Sequence, residues 1–148
     1  MVDRFKQFSF SIFEISRCWH KLASDVMSRY DLKGPYAIYL VVLLNNPDGL
    51  TSAQLTELCC RDKADVSRAL SVMESSGIVC RERENAYRAK VFLTSKGIDA
   101  AEQVCRIASV AVEQGGKGVS DDERAVFYRA LASITQNLTR LSQEGLPE

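Results

Sequence analysis

Apolar residues recur every three or four positions near both ends of the chain, and this stepping predicts long amphipathic helices. The first run predicts a helix over about 3–30, and the last run predicts another after the acidic start SDDE. Phe10 and Phe13 lie off the first stripe, and a helix that is apolar on more than one face is usually covered by more than its own domain. The two runs are Phe5, Phe8, Ile12, Ile15, Trp19, Leu22 and Val26, and Phe127, Leu131, Ile134, Leu138 and Leu141.

The length and composition predict one globular domain over residues 1–148. With 148 residues the chain can bury a core without metals or disulfides, and 46% apolar and 26% charged residues are ordinary for this class. No apolar run is long enough to cross a bilayer, and the opening MVDRFKQFSF mixes charges and lacks a small-residue cleavage site. We therefore expect a cytoplasmic protein without a membrane partner, whose five cysteines stay reduced.

The middle of the chain begins with two shorter predicted helices. The run PYAIYLVVLL, over about 35–45, is apolar nearly all round and predicts a deeply buried second helix. In the run TSAQ, Thr51 and Gln54 have the spacing of a capping box, so we expect a third helix to begin there. Leu55 and Leu58 are expected to face inward from that helix.

A fourth helix is predicted between Asp62, which can cap its start, and Gly77, where the chain can leave it. Two strand-like runs follow, IVCRERE and YRAKVFLT, joined by an Asn-Ala dipeptide. Thr94 can then cap a fifth helix over about 95–114. The positions of this helix expected to face inward are Ile98, Ala101, Val104, Cys105, Ala108 and Val112.

Two short helices joined by a tight turn and followed by a hairpin have the order of a winged helix-turn-helix, here over about 35–94. In such a unit the first turns of the second helix enter the major groove of DNA. Arg and Lys there can pair with guanine edges or phosphates, Ser can donate to either, and Ala allows close approach. Along the fourth helix the inward residues are Val66, Leu70 and Met73, and the outward ones are Lys63, Ala64, Ser67 and Arg68.

The charge distribution also favours a DNA contact in the middle of the chain. The formal net charge is zero, but residues 61–96 carry 8 Lys and Arg against 5 Asp and Glu, whereas residues 97–148 carry 5 against 8. The alternatives to DNA contact are that the charged residues of the fourth helix form an ordinary solvent-exposed face and that the charges of the hairpin pair with each other. Near the hairpin tip, the residues that can reach phosphate or the minor groove are Arg83, Asn85, Arg88 and Lys90.

The segment 49–97 resembles the MarR family of bacterial transcription regulators. The matching motifs are LT before the third helix, DK..VSR.L..ME..GIV.R across the fourth and LTSKG after the hairpin. The long first helix and the two C-terminal helices extend the resemblance to nearly the whole chain. It implies a mainly α fold with a small β-hairpin wing, in which residues 3–30 and 95–144 form dimerisation helices. It also implies a homodimer that binds a palindromic operator in double-stranded DNA, usually as a repressor released by a small ligand or an oxidant.

The wing departs from the family pattern. Hairpins of the family usually carry an Asp-x-Arg motif, whereas the loop here reads RERENAYRAK, in which Arg88 stands nearest to the family arginine. From the residues and the resemblance together, we predict DNA contacts by Ser52, Gln54, Lys63, Ala64, Asp65, Ser67, Arg68, Arg83, Asn85, Arg88 and Lys90.

The resemblance also implies a ligand pocket between the dimer helices and the DNA-binding unit. Trp19, His20, Tyr36 and Tyr39 are the aromatic or polar candidates for binding a small aromatic ligand there. The alternative is that these four residues belong to an ordinary core.

The cysteines raise the alternative of a redox- or metal-responsive winged-helix regulator. Organic-peroxide sensors of the MarR family carry a cysteine on the first helix, and Cys18 lies on the predicted first helix here. The cysteine of those sensors, however, lies nearer the start of the helix than Cys18 does. Cys59 and Cys60 resemble the thiolate site of ArsR-type metal sensors, which however use a Cys-x-Cys spacing. We predict no metal site and no cofactor.

An enzyme and a protein-interaction module are two further alternatives to a regulator. The sequence gives little support for an enzyme, because it contains one histidine, no glycine-rich phosphate loop and no cluster of residues with the spacing of metal ligands. A helical protein-interaction module without DNA binding is the other alternative.

Overall fold

The structure is a computed structural model that describes residues 2–82 and 89–146. The chain divides into two compact units, Met1–Ser109 and Val110–Glu148. The order of four helices, a hairpin and two helices is the predicted one. The elements are α1 (Val2–Met27), α2 (Ala37–Leu44), α3 (Ser52–Leu58), α4 (Lys63–Ser75), β1 (Val79–Arg81), β2 (Val91–Leu93), α5 (Ser95–Gly115) and α6 (Asp121–Glu144).

Two short 3-10 helices stand where the sequence predicted continuous α-helix. The predicted first helix is α only as far as Met27, and Ser28–Tyr30 forms a 3-10 turn. Asp31 then adopts a left-handed conformation with φ 58°, which turns the chain. A second 3-10 helix, Gly34–Tyr36, precedes α2, and Pro35 suits its first turn because the fixed φ of proline matches a helical conformation.

Capping side chains fix the starts of α3 and α4 as the sequence predicted. Thr51 Oγ1 accepts a hydrogen bond from the Gln54 N–H at 3.3 Å, and Gln54 Oε1 accepts one from the Thr51 N–H at 2.9 Å. Asp62 Oδ1 likewise accepts from the Asp65 N–H at 2.8 Å. Gly77, just beyond α4, has φ 70°, a left-handed conformation that glycine adopts without steric cost.

The hairpin strands are antiparallel and shorter than the predicted runs. Cys80 lies opposite Phe92 in the register of β1 and β2. Leu50 adds a bridge that the sequence pattern did not predict, since its N–H and carbonyl bond to Val91 at 3.1 and 2.8 Å. The connection predicted at Asn85 and Ala86 lies outside the described residues.

The start of α5 packs tightly against β1. Thr94 caps the helix as predicted, since its Oγ1 accepts from the Gly97 N–H at 3.1 Å. The Thr94 N–H in turn donates to the Ile78 carbonyl at 3.0 Å. A Cβ atom on Gly97 would lie 2.0 Å from that same carbonyl oxygen, so the close approach of helix and strand requires glycine.

The first unit contains the hydrophobic core that holds the helix-turn-helix and the hairpin together. The apolar α2 is buried only in part: Leu40 and Leu43 lie in this core as predicted, whereas Ile38 is 40% exposed. The last turn of α1 is also buried in this core, at Val26 and Met27, unlike the N-terminal part of the same helix. Among the largest fully buried side chains are Met27, Leu40, Leu55, Leu70, Met73, Ile78 and Val91.

Three positions predicted to face inward are exposed. Leu58 is 53% exposed on α3, and Ile98 and Val112 are each 42% exposed on α5, so the prediction is wrong for these residues within the chain. On the short α3, the buried residue is Leu55. On α5 the buried row consists of Gly97, Ala100, Ala101 and Val104, from which Ile98 is turned away by roughly 100°.

The long helices carry the exposed apolar residues that the stepping predicted. On α1, Phe8, Ile12 and Ile15 are 41, 41 and 49% exposed. Phe10 and Phe13, off that stripe, are 70 and 72% exposed. Among the described residues, none of the helices combines the length and hydropathy that a bilayer crossing requires. Exposed apolar side chains on α6 are Val126, Phe127, Tyr128, Ile134 and Leu138.

Candidate nucleic-acid interface

One face of α4 is buried and the opposite face is open along its first two turns. The inward residues predicted from the spacing, Val66, Leu70 and Met73, are at most 1% exposed. Because 3.6 residues make a turn, these three residues and the buried Ala69 share one side of the helix, and the residues on the other side point away from the core. The outward set is exposed as expected, and it consists of Lys63, Ala64, Ser67 and Arg68.

Two acidic residues organise the start of α4. Hydrogen bonds from backbone N–H groups, first that of Asp65, lower the pKa of the Asp62 carboxyl. The Asp65 carboxylate accepts a hydrogen bond from Arg68 Nη2, in an ion pair between positions i and i+3. The Arg68 side chain is still 67% exposed and that of Asp65 44%. The guanidinium is thus held at one end while most of the side chain faces solvent.

The two candidate contacts on α3 have different local bonds. Ser52 is half-buried, and its carbonyl accepts from the Thr56 hydroxyl at 2.8 Å. Gln54 is exposed, but its carboxamide oxygen accepts from both the N–H and the hydroxyl of Thr51, at 2.9 and 3.1 Å. The carboxamide NH₂ of Gln54 is therefore the group that can donate to DNA.

Lys90 is the one candidate wing residue that the structure describes, since Arg83, Asn85 and Arg88 lie outside the described residues. Its side chain is exposed, and Nζ donates to the Asp48 carbonyl at 3.1 Å. This bond ties the base of the wing to the turn before α3.

Arg81 is a further basic residue next to α4, and it is not among the residues predicted to contact DNA. Its Nε donates to Glu74 Oε2 at 3.1 Å, which links β1 to the last turns of α4. Both side chains are partly exposed, at 36 and 45%. A salt bridge between residues seven positions apart on different elements has no local sequence signal.

A mostly apolar cavity of about 340 Å³ opens beside α1, α2 and α5 in the first unit. Trp19 and His20 of the predicted ligand set line it, together with Val26, Ile38 and Ile107. Its charged lining residue is Arg61, which directly precedes the capping residue of α4 and was missed from the sequence. Arg61 was missed because only the tertiary fold brings the α3–α4 turn to α1.

The other two candidate ligand residues, Tyr36 and Tyr39, do not line this cavity. Tyr39 is 2% exposed and packs in the core, and burial raises the pKa of its phenol. The residues of α2 that face the cavity include Ile38, from which Tyr39 is turned by roughly 100°. The rings of Tyr36 and Tyr39 lie 6.4 Å apart, so the two tyrosines form their own pair.

The cysteines differ in exposure. Cys18 and Cys60 are exposed, whereas Cys59 is buried, and burial raises the pKa of its thiol to about 11. A thiol that stays protonated is a poor nucleophile and metal ligand. Within residues 2–82 and 89–146, no three His, Cys, Asp or Glu side chains are grouped to hold a metal ion. The metal-responsive alternative therefore gains no support at Cys59, and redox sensing at Cys18 stays a prediction.

Several solved structures have the same arrangement of elements. A MarR transcriptional regulator from Methanosarcina mazei Go1 has a TM-score of 0.78 and 21% identity, covering 92% of each chain. A putative MarR family regulator from Listeria monocytogenes, complexed with a 26mer DNA, has a TM-score of 0.79 and 21% identity over 93% of this chain and 95% of that chain. The chain has the MarR fold. MepR of S. aureus, solved as a DNA complex, is similar at a TM-score of 0.78 and 21% identity over 88% of this chain and 97% of that chain.

The MarR fold confirms the predicted fold class, a mainly α winged helix-turn-helix with a two-stranded hairpin and long helices at both ends. In this fold α4 is the second helix of the helix-turn-helix. At the level of sequence, no protein-family model matches the chain, and a comparison with curated proteins gave no match.

Proposed function

We propose that this chain is a transcriptional regulator that binds double-stranded DNA sequence-specifically, with the start of α4 in the major groove. The observation that carries the proposal is the exposed polar face of this recognition helix, opposite a fully buried apolar face. Arg68 can pair with a guanine edge, Lys63 can reach a guanine or a phosphate, and Ser67 can donate to either. The small Ala64 lets the helix approach the bases.

The other candidate residues fit supporting contacts to the DNA backbone. Ser52 and Gln54 lie on the first helix of the pair, which crosses the backbone in such complexes. Lys90 at the wing base, and the wing residues Arg83, Asn85 and Arg88, are proposed to contact phosphate or the minor groove. Such contacts set the position of the protein on the duplex rather than its sequence preference.

The proposed regulator acts as a homodimer. Some of the exposed apolar residues on each helix follow a row with helical spacing, so they are more than isolated surface side chains. These rows are Phe8, Ile12, Ile15 and Trp19 on α1, and Phe127, Ile134 and Leu138 on α6. A two-fold pairing through the helices within 3–30 and 95–144 would cover these rows. It would also place two copies of α4 about 34 Å apart, so the operator would be palindromic.

The expected result in a gel-shift assay with the DNA upstream of this chain's own gene is a saturable complex that survives competitor DNA. Light scattering of the protein alone should give twice the 16.5 kDa mass of one chain at micromolar concentration. Retardation of unrelated duplexes at the same protein concentrations would contradict sequence-specific binding. A chain that leaves DNA unshifted but captures a protein would instead support the interaction-module alternative.

We further propose that the regulator is a repressor released by a small aromatic ligand in the cavity beside α1. The apolar walls suit a flat ring, and Arg61 offers donors to an acceptor group on it. Because Arg61 directly precedes the Asp62 cap, a ligand held there would act at the start of the recognition helix.

Binding in the cavity is measurable because Trp19, the single tryptophan of the chain, lines it. We expect benzoate to change Trp19 fluorescence saturably, and benzyl alcohol, with the same ring and no charge, to bind more weakly. Arg61→Gln should weaken benzoate roughly tenfold, since a charge-assisted hydrogen bond is lost. A response that rises linearly with both probes, and equally in the variant, would contradict the cavity proposal.

A further inference from the structure

The first turns of the recognition helix carry as many acids as bases, namely Asp62 and Asp65 against Lys63 and Arg68. A surface that only had to hold phosphates would be basic, since cation–phosphate contacts supply non-specific affinity. The acids on this face therefore need a structural reason. Asp62 has one, because its carboxylate caps the helix through the Asp65 N–H at 2.8 Å.

Asp65 makes a different contact, since its carboxylate pairs with Arg68 one turn later on the exposed face. We propose that Asp65 is a positioning residue that holds the Arg68 guanidinium for bidentate pairing with one guanine in each half-site. This inference rests on the proposed DNA-binding function and assigns Asp65 a role other than the direct contact predicted from the sequence.

The chemistry of the pair supports this role. An arginine side chain is long and flexible, whereas two parallel bonds to guanine O6 and N7 require one orientation of the guanidinium plane. The carboxylate engages Nη2 and restrains that plane, and a guanidinium has five N–H donors, so others remain for the base. The same negative charge repels phosphates, which disfavours the alternative use of Arg68 as a backbone contact.

Removing the carboxylate should therefore change specific and non-specific binding in opposite directions. Without Asp65, Arg68 can swing to a phosphate, so guanine discrimination falls while affinity for unrelated DNA rises. A residue that merely stabilised the helix would not produce this pair of effects.

The test uses fluorescence anisotropy with a duplex selected by the wild-type protein from a randomised pool. Each guanine in turn is replaced by 7-deazaguanine, which lacks the N7 acceptor. For the wild type we expect one guanine per half-site whose replacement weakens binding roughly tenfold. In Asp65→Ala this penalty should fall to about twofold, while affinity for an unrelated duplex rises about twofold.

Asp62→Asn is the matched control, because it removes one negative charge from the same turn while asparagine still caps the helix. It should keep the tenfold penalty of the wild type. If Asp65→Ala keeps that penalty too, or if Asp62→Asn loses it equally, the positioning role is overturned although the regulator stands. A wild type that binds selected and unrelated duplexes equally would overturn the proposed function, and this inference with it.

Discussion

Replacing Arg68 with alanine is expected to weaken operator binding by about 100-fold or more. Each bidentate Arg–guanine pair contributes roughly 1–3 kcal/mol of discrimination, and a homodimer would lose one pair in each half-site. The Arg68 side chain is 67% exposed, so the variant should fold like the wild type. The measurement is a titration of operator and of unrelated duplexes at one fixed salt concentration, because the phosphate contribution varies with salt.

Arg17→Ala is the matched control for this substitution. Arg17 pairs with Glu14, also at positions i and i+3, and its side chain is 67% exposed like that of Arg68. The control removes the same charge and the same kind of ion pair from a different helix, so operator affinity should stay within about twofold. Equal losses in the two variants would point to net charge rather than to a base contact, and would count against the recognition role of Arg68.

The largest effect on stability is expected for Gly97→Ala, which should lower the free energy of unfolding by about 3 kcal/mol. The added Cβ would lie 2.0 Å from the Ile78 carbonyl oxygen, a backbone atom that cannot rotate aside as a flexible side chain can. That carbonyl already accepts from the Thr94 N–H at 3.0 Å, so moving it disturbs the cap of α5 as well. Chemical denaturation at a fixed protein concentration measures the change, since dimerisation makes stability depend on concentration.

Gly115→Ala on the same helix is the companion variant. Among the described residues, no heavy atom lies within 4 Å of a Cβ at Gly115, and its φ is not in the left-handed region. Alanine favours helix over glycine, so stability should be unchanged or raised by up to about 1 kcal/mol. Similar unfolding curves for the Gly97 and Gly115 variants would contradict the tight packing of α5 on β1.

Local signals predicted much of this fold because they act between residues a few positions apart. The caps at Thr51, Asp62 and Thr94 depend on a polar side chain and a backbone N–H three residues later, and all three are present. The bridge between Leu50 and Val91 joins segments 41 positions apart in sequence, and no local pattern signals it. The exposure of Leu58 shows the same limit, since helical periodicity predicts which residues share a face of a helix but not whether another part of the chain covers that face.

Some features of the candidate site likewise follow from local sequence patterns, whereas others depend on the tertiary fold. The outward position of Ser67 and Arg68 follows from helical periodicity, and so does the spacing of Asp65 and Arg68. The bond from Lys90 to the Asp48 carbonyl and the approach of Arg61 to the cavity depend on tertiary packing instead. Such contacts join residues that are far apart in sequence, so no local pattern signals them.

The docking of α4 in the major groove is tested most directly by dimethyl sulfate footprinting of the selected duplex, because this reagent methylates guanine N7 in that groove. Saturating wild-type protein should protect guanines in two clusters about 10 base pairs apart, and Arg68→Ala should lose the protection at one guanine in each cluster. Guanine N7 atoms that stay fully reactive while the duplex is bound would contradict the account.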